Sequence, residues 1–307
     1  MVAPVTTIRN AVAEALSPHD RVVLAVSGGA DSMVMLDAAR SARSQMVVAT
    51  FDHRTGAASA DAARLVRNRC DELGIACVTA RARVQARSEA SWRDQRWEFL
   101  RTVARERRAV VATAHTLDDQ IETVFMRILR DAGPRGLAGL YARTDVVRPL
   151  LGTRRSEVLA YVASESTRHV EDPSNSSRAH LRNRVRLDLL PRVAAVRPVF
   201  GGELLALSRR AADWREAVAL AVDALGAARH SDGSLYIARG ALEPYDESEL
   251  AILWPEIAAR GGVTMDRRGT RRVAAFTIDG ATGGSIQLSG GVEVVRTREH
   301  FVLRSTA

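Results

Sequence analysis

The stretch Val22-Val23-Leu24-Ala25-Val26-Ser27-Gly28-Gly29-Ala30-Asp31-Ser32 decides how the rest of the chain is read. Its apolar run, without polar alternation, predicts a strand buried on both faces. Gly28-Gly29 then makes a tight turn, and Met33-Val34-Met35-Leu36 continues as a helix. Glycines let backbone N–H groups approach an anion, and a helix N-terminus adds unpaired donors and the positive end of its dipole. The segment from Ser27 through Gly28, Gly29, Ala30 and Asp31 to Ser32 is therefore an expected phosphate cradle, with the Ser27 and Ser32 hydroxyls as further donors. Asp31 is the odd member, because a carboxylate repels phosphates unless a divalent cation lies between them. The loop points to Mg2+·ATP with pyrophosphate as the bound group. No G-K-[ST] follows, so it is not a Walker A loop.

Working outward, short apolar runs alternate with longer amphipathic ones. Strands are expected at Val22–Val26, Met46–Phe51, Ile75–Thr79 and Ala109–Ala114. Helices are expected at Ser32–Ala42, Ser59–Leu73, Ser88–Arg105 and Leu117–Arg130. Such alternation implies right-handed βαβ units and an α/β fold with a parallel sheet and flanking helices. Ligands of such sheets sit beyond the carboxyl ends of the strands. The SGGADS loop, Asp52-His53 and His115 all fall at such ends. Further on, Arg154–Glu165, the basic Arg178–Leu190 and the long Glu203–Ala227 are expected as helices. The texture then changes to short strands, Ser234–Ala238, Ser285–Leu288, Val292–Arg296 and Phe301–Arg304, with a helix at Glu247–Ala259. The expected division is a catalytic domain over 1–200, then a helical connector and a smaller C-terminal α+β domain over 201–307.

The second chemical segment is Ala114-His115-Thr116-Leu117-Asp118-Asp119-Gln120-Ile121-Glu122-Thr123. Asp119 and Glu122 are three apart and share a helical face. Crowded carboxylates are costly without a cation or proton. The first turn of a helix also favours acids for its dipole alone, so ordinary capping acids are the bland alternative. Placed at the same sheet edge as Asp31, the pair suggests cation binding and orientation or deprotonation of a nucleophile. Arg130 and the glycines after it form a basic loop, and Arg178, Arg182 and Arg186 recur every four residues as a helical stripe. That stripe is either a solvated face or a phosphate-contacting one, for ATP or RNA.

Composition narrows the class. The 307 residues carry a net charge of +8, which favours a polyanionic partner. Every one of the 44 basic residues is arginine, so no internal lysine can form a Schiff base, while arginine can still clamp phosphate. Cys70 and Cys77 fit neither a C-x-x-C metal pair nor a disulfide framework, so no disulfide partner is expected. No apolar run is long enough to span a membrane, and no basic leader with an apolar core opens the chain. A reduced, cytoplasmic setting is expected.

The SGGADS loop resembles the signature of the ATP pyrophosphatases, which have an adenine nucleotide alpha hydrolase-like fold. The assembled pattern resembles one family within them, tRNA(Ile)-lysidine synthetase. Its motifs are SGG-x-D-S, AHH-x-DDQ-x-ET, R-x-x-G-x-x-GL-x-G, RPLL, EDPSN, RN-x-x-R and LLP. This chain has SGGADS, AHTLDDQIET, RDAGPRGLAGL, RPLL, EDPSN, LRNRVR and LLP, in that order, from about Val22 to Pro191. The arginine-rich stretch Ser88–Trp97 is similar too. Departures are Thr116 for the second histidine, Asp131-Ala132 for a Gly-Ser or Gly-Thr pair, and His53-Arg54-Thr55-Gly56 for H-G-L-R. The C-terminal third matches more loosely, with a length like the family's short members.

The resemblance implies a ligase acting on the wobble cytidine of the CAU-anticodon isoleucine tRNA. ATP adenylates carbon 2 of the base, pyrophosphate leaves, and the ε-amine of free L-lysine displaces AMP to give lysidine. It further implies that Ser27 to Ser32, with Asp52, His53 and His115, hold the nucleotide, and that Asp31 binds Mg2+. Asp119 and Glu122 are then expected at the activated cytidine and lysine amine, and Arg186, before Arg182, at the phosphoryl charge. Arg130, Arg178, Arg182, Arg267, Arg268, Arg271 and Arg272 are expected on tRNA. Oligomeric state stays open, a homodimer included. The enzymatic rival is a tRNA cytidine thiolase, which would call for cysteines that this chain lacks. An amidotransferase-type ligase would call for an ammonia source. A basic RNA-binding protein with a decayed nucleotide site is opposed by the intact Asp31, Asp119 and Glu122.

Overall fold

Val22, Val23 and Leu24 lie fully buried in β1 (Arg21–Ala25), because this strand is central and covered on both faces. The computed structural model describes residues 4–42, 44–54, 56–82 and 89–305. They divide into two compact units, Met1–Ala211 and Ala212–Ala307. In the first unit, α1 (Pro4–Leu16) precedes β1, and α2 (Ala30–Ala38) leads to β2 (Gln45–Asp52). Then come α3 (Ala57–Leu73), β3 (Ala76–Arg81), α4 (Glu89–Arg107), β4 (Val110–Thr113), α5 (Leu117–Ile128), α6 (Pro134–Leu137), β5 (Val146–Val147) and α7 (Arg155–Glu165).

The sheet order is β3-β2-β1-β4-β5, and every neighbouring pair is parallel. Val23 stands opposite Val47 of β2 and Val111 of β4. The two-residue period of the strand then splits the core. Val22 and Leu24 join Ile8, Val12 and Leu16 of α1, Met33 and Leu36 of α2, and Val158 and Tyr161 of α7. Val23 joins Leu100 and Val103 of α4 on the other face. Burying each such side chain stabilises the fold by roughly 1.5–3 kcal/mol. The direction in which successive strands are added reverses between β1 and β4, so a crevice opens beyond their carboxyl ends.

Some boundaries differ from expectation. The strand at Ile75–Thr79 runs Ala76–Arg81, and the expected helix from Ser88 is described from Glu89, Ser88 itself lying outside the described residues. Thr55 of the H-R-T-G departure lies outside them as well. α1 and the short β5 carry no strong local signal and owe their place to packing on the sheet. The expected basic helix Arg178–Leu190 starts at Leu181 and runs unbroken to Val196, as α8 (Leu181–Arg184), a π turn over Val185–Leu189 and α9 (Leu190–Val196). Arg178 precedes α8 and pairs with Asp188 at 3.1 Å, so the continuous arginine stripe does not form. α10 (Phe200–Ala224) follows and includes the unit boundary.

The second unit contains β6 (Ala228–Arg229), β7 (Leu235–Ala238), α11 (Arg239–Leu242), α12 (Glu247–Arg260), α13 (Arg267–Asp279), β8 (Ser285–Leu288), β9 (Val292–Arg296) and β10 (His300–Ser305). Its sheet is antiparallel, in the order β6-β7-β10-β9-β8. Trp254 and Ile257 of α12 and Val273 of α13 pack with Leu235, Ile237, Val294 and Phe301 of the sheet. The one polar side-chain atom of Trp254 is satisfied, its Nε1–H donating to Thr277 Oγ1 at 2.8 Å. No helix among the described residues is long and apolar enough to cross a membrane.

Candidate active site

The site lies where β1 and β4 end side by side. After β1 the backbone turns at Gly28, whose φ is +88°, and a Cβ there would meet the Cβ of Ala62 at 2.8 Å. Only glycine fits this position. Gly29 is extended and serves as N-cap of α2 without a capping side chain, so the first-turn N–H groups of Ala30 to Ser32 are left for an anion. The Ser32 hydroxyl donates to Gly29 O at 2.9 Å and lies 3.2 Å from Ser27 Oγ. It therefore braces the loop from within, and the backbone is the principal donor. Val170 N–H donates to Gly28 O at 2.9 Å, which ties the EDPSN-bearing segment to the loop.

Asp31, in the first turn of α2, accepts from Arg155 at 2.9 Å through Oδ2, while Oδ1 is buried without a partner. Burial pushes its carboxyl above the ordinary value, opposed by Arg155 and reinforced by nearby Asp119. A half-satisfied carboxylate with one unpartnered, buried oxygen fits a single protein ligand to Mg2+, the remaining positions being left for phosphate oxygens and water. Among the described residues no cluster of three or more His, Cys, Asp or Glu is spaced for a metal ion.

The acidic pair stands on α5. Thr116 is its N-cap, and Asp119 completes a capping box, accepting Thr116 N–H at 2.8 Å on Oδ2. Thr116 thus has a helix-starting role that a second histidine could not fill in the same way. Asp119 Oδ1 accepts from Arg182 at 2.7 Å and Arg186 at 3.3 Å. Glu122, with a side chain 3% exposed, accepts from Arg182 Nε at 2.8 Å and Arg186 Nε at 2.5 Å. Burial raises the Asp119 carboxyl, but Arg182 and the Thr116 N–H together bring it below the ordinary value. Asp118 faces elsewhere, accepting Arg155 N–H at 2.7 Å, and anchors the start of α7.

The neighbouring motif residues are scaffolding. Gln120 is fully buried, donates to Ala138 O at 3.0 Å and accepts Leu140 N–H at 2.6 Å. Gly139, with φ +60°, packs against that amide so closely that any side chain would clash. The Gly-rich loop is therefore clamped to α5. Asn183 donates to Ser174 O and Ser177 O, both at 2.8 Å, and fixes α8 to the turn that carries Asp172. This clamp delivers Arg182 and Arg186 to the acids.

The histidines and Asp52 are placed less directly. His115 Nδ1 lies 2.9 Å from Thr113 Oγ1. Burial, with Arg182, Arg148 and Arg96 nearby and opposed by Asp119, pushes its pKa down to about 4, so the ring is neutral near pH 7. His53 Nδ1 is buried without a partner, and burial and Arg96 hold that ring below its ordinary value as well. Asp52 accepts Ser59 Oγ at 2.5 Å, Arg54 N–H at 2.8 Å and Arg81 Nε at 3.0 Å. With both oxygens engaged, the side chain shapes the β2 exit. Arg130 is exposed in the turn after α5, and Arg178 is turned to Asp188. Arg182 pairs with Asp119 and Glu122. Arg267, Arg268, Arg271 and Arg272 belong to the second unit, on the exposed side of α13.

Sequence reasoning did not single out Arg96, Arg148 and Arg155. Burial lowers the first two guanidiniums, each with an unpartnered Nε, and Arg155 closes Asp31. Arg96 and Arg148 lay in motifs already visible, the arginine-rich helix and RPLL, and Arg155 in the expected helix after them, without an indication of which arginine turns inward.

A family model described as the PP-loop domain matches residues 4–193. A tRNA(Ile)-lysidine synthase of Salinispora arenicola is 35% identical over 320 aligned positions, covering 96% of this chain and 95% of that one. One from Novosphingobium aromaticivorans is 40% identical over 197, covering 60% of each. Among solved structures, a U34-tRNA thiolase of Methanococcus maripaludis superposes with a TM-score of 0.55 at 16% identity, covering 68% of this chain and 79% of that one, a likeness of fold alone. Motif order, switch-point geometry and a full-length relative agree, and the chain belongs to the tRNA(Ile)-lysidine synthase family, on an ATP-using PP-loop unit.

Proposed function

We propose that this protein adenylates carbon 2 of the wobble cytidine in the CAU-anticodon isoleucine tRNA and replaces the adenylate with free L-lysine. The observation that carries the reading is that the glycine loop with its open first-turn N–H groups and the Asp119–Glu122 pair follow neighbouring strand ends at one crevice. The carbonyl oxygen of cytosine attacks the α-phosphorus and pyrophosphate departs onto the Gly28–Ser32 backbone. Asp31 would hold Mg2+, which neutralises charge on the phosphates. Arg186 then stabilises the phosphoryl charge as it builds. The lysine amine attacks carbon 2, its proton passes to Glu122 or Asp119, and AMP leaves. Neutral His115 and His53 offer hydrogen bonds without adding positive charge.

Residues 1–200 would carry this chemistry and 201–307 would grip tRNA, with Arg267, Arg268, Arg271 and Arg272 on phosphates. A cytoplasmic setting suits both tRNA and free thiols. The test is incubation with ATP, Mg2+, labelled lysine and unmodified isoleucine tRNA. Labelled RNA with AMP and pyrophosphate is expected. ADP as product, or sulfur in the RNA, would overturn the reading.

A further inference from the structure

Every oxygen of the Asp119–Glu122 pair is already engaged. Asp119 Oδ2 serves the Thr116 cap, and Oδ1 accepts from both arginines. Glu122 Oε1 accepts from Arg186 Nε at 2.5 Å, and Oε2 accepts from Arg182 Nε at 2.8 Å and Arg186 at 3.1 Å. An incoming ammonium, with three donors, finds only the second lone pair of Glu122 Oε1 open, too few acceptors to replace its water. The carboxylates are fixed, buried on a capped helix, whereas the arginines reach in from partly exposed stems, 34% and 27% accessible. They arise from a short helical turn and a π turn, an irregular stretch of a kind often found at functional sites.

We propose that Arg182 and Arg186 stand in for the lysine ammonium in the nucleotide-free protein, and that phosphates bound at the Gly28–Ser32 loop draw them away, so that lysine binds after ATP. The inference rests on the function proposed above. The Gly28–Ser32 loop and the acids that hold the arginines follow the carboxyl ends of the adjacent strands β1 and β4, so both groups face one crevice. Guanidinium pairs with phosphate bidentately, with charge-assisted bonds, and so has a competing partner once nucleotide arrives. Its departure leaves two buried carboxylates without a cation, a state that strongly favours a new one. The order has chemical use, because lysine is admitted only when a phosphoryl group is present to activate the base. Arg182 is a positioning residue in this scheme, acting through the acids.

The measurement is equilibrium dialysis of labelled lysine against the full chain, with and without Mg2+ and α,β-methylene ATP, which cannot release pyrophosphate. Wild-type protein should bind lysine at least tenfold more tightly with the nucleotide analogue. Reciprocity requires lysine to tighten the analogue by the same factor, a readout that needs no variant. Arg182→Met, checked for wild-type melting, should bind lysine without nucleotide at least tenfold better than wild type. Equal lysine affinity with and without analogue overturns the proposal, as does a folded Arg182→Met with no gain. A wild type that ligates lysine to tRNA yet shows equal affinities keeps its function and loses only this mechanism. One that ligates no lysine under full conditions refutes the function itself.

Discussion

Glu122 combines near-complete burial with two guanidiniums, so its amide should expose what the charge does. If it mainly serves the amine, Glu122→Gln should still adenylate tRNA but pass the adenylate slowly to lysine. Loss of a general base typically costs about 10²–10⁴-fold. Rapid-quench detection of adenylated tRNA, with and without lysine, checks this, and equal loss in both half-reactions would move Glu122 to the metal and leave Asp119 as the amine partner. His115 makes a second residue-scale prediction. Its folded value of about 4 lies below the ordinary 6.5, so between these values the unfolded chain holds a proton that the native state refuses. This contribution to stability is complete above pH 6.5 and is lost as pH falls toward 4, by at most about 1.4 kcal/mol per pH unit. His115→Gln should flatten the acid side of a Tm-against-pH curve, and identical curves would refute the burial argument.

At the scale of elements, the N-terminus of α5 does two jobs with one residue. Thr116 caps the helix and holds Asp119 Oδ2. Thr116→Val keeps shape and removes the hydroxyl from both, so it should cost about 1 kcal/mol of stability. Thr116→Ser, which keeps the hydroxyl, should recover most of that loss in chemical denaturation; equal destabilisation by both would show that the methyl packing matters and the cap does not. The motif around it is legible as a sequence pattern, yet its parts differ in purpose. Gln120 and Gly139 form a clamp, and Asp118 anchors α7, while Asp119 and Glu122 face the arginines. Spacing alone puts Asp119 and Glu122 on one face. It is silent on Arg182 and Arg186, because their approach depends on the Asn183 tether and on a π turn that no local propensity announces.

At the scale of the whole molecule, charge is the general signal and its distribution the specific one. The +8 excess is carried entirely by arginine, but many of these side chains are spent on intramolecular acids, including Arg69, Arg155, Arg178, Arg182 and Arg186. Replacing Arg267, Arg268, Arg271 and Arg272 with Ala should weaken tRNA binding and flatten its salt dependence. Each phosphate left without its arginine should lower the log–log slope by roughly 0.7–0.9. A filter-binding titration across salt concentrations reads the slope, and an unchanged one would place the RNA-binding surface elsewhere.

The parallel sheet, the glycine turn at the end of β1 and the acids after β4 were legible in the chain before folding. Those features are local, encoded in uninterrupted apolar runs, a glycine that must take positive φ, and acids three residues apart. The α13 helix was not read as such, since its opening arginines and glycine lack an apolar start and its buried face shows only once it packs on the small sheet. Which arginines turn inward follows from long-range packing instead. Burial lowers the guanidiniums of Arg96 and Arg148, Arg155 meets Asp31, and Arg182 and Arg186 close over Glu122. The pairing of Arg182 and Arg186 with Glu122 spans 60 and 64 residues of chain and has no periodicity to announce it, because it follows from where the backbone brings opposite charges out of water.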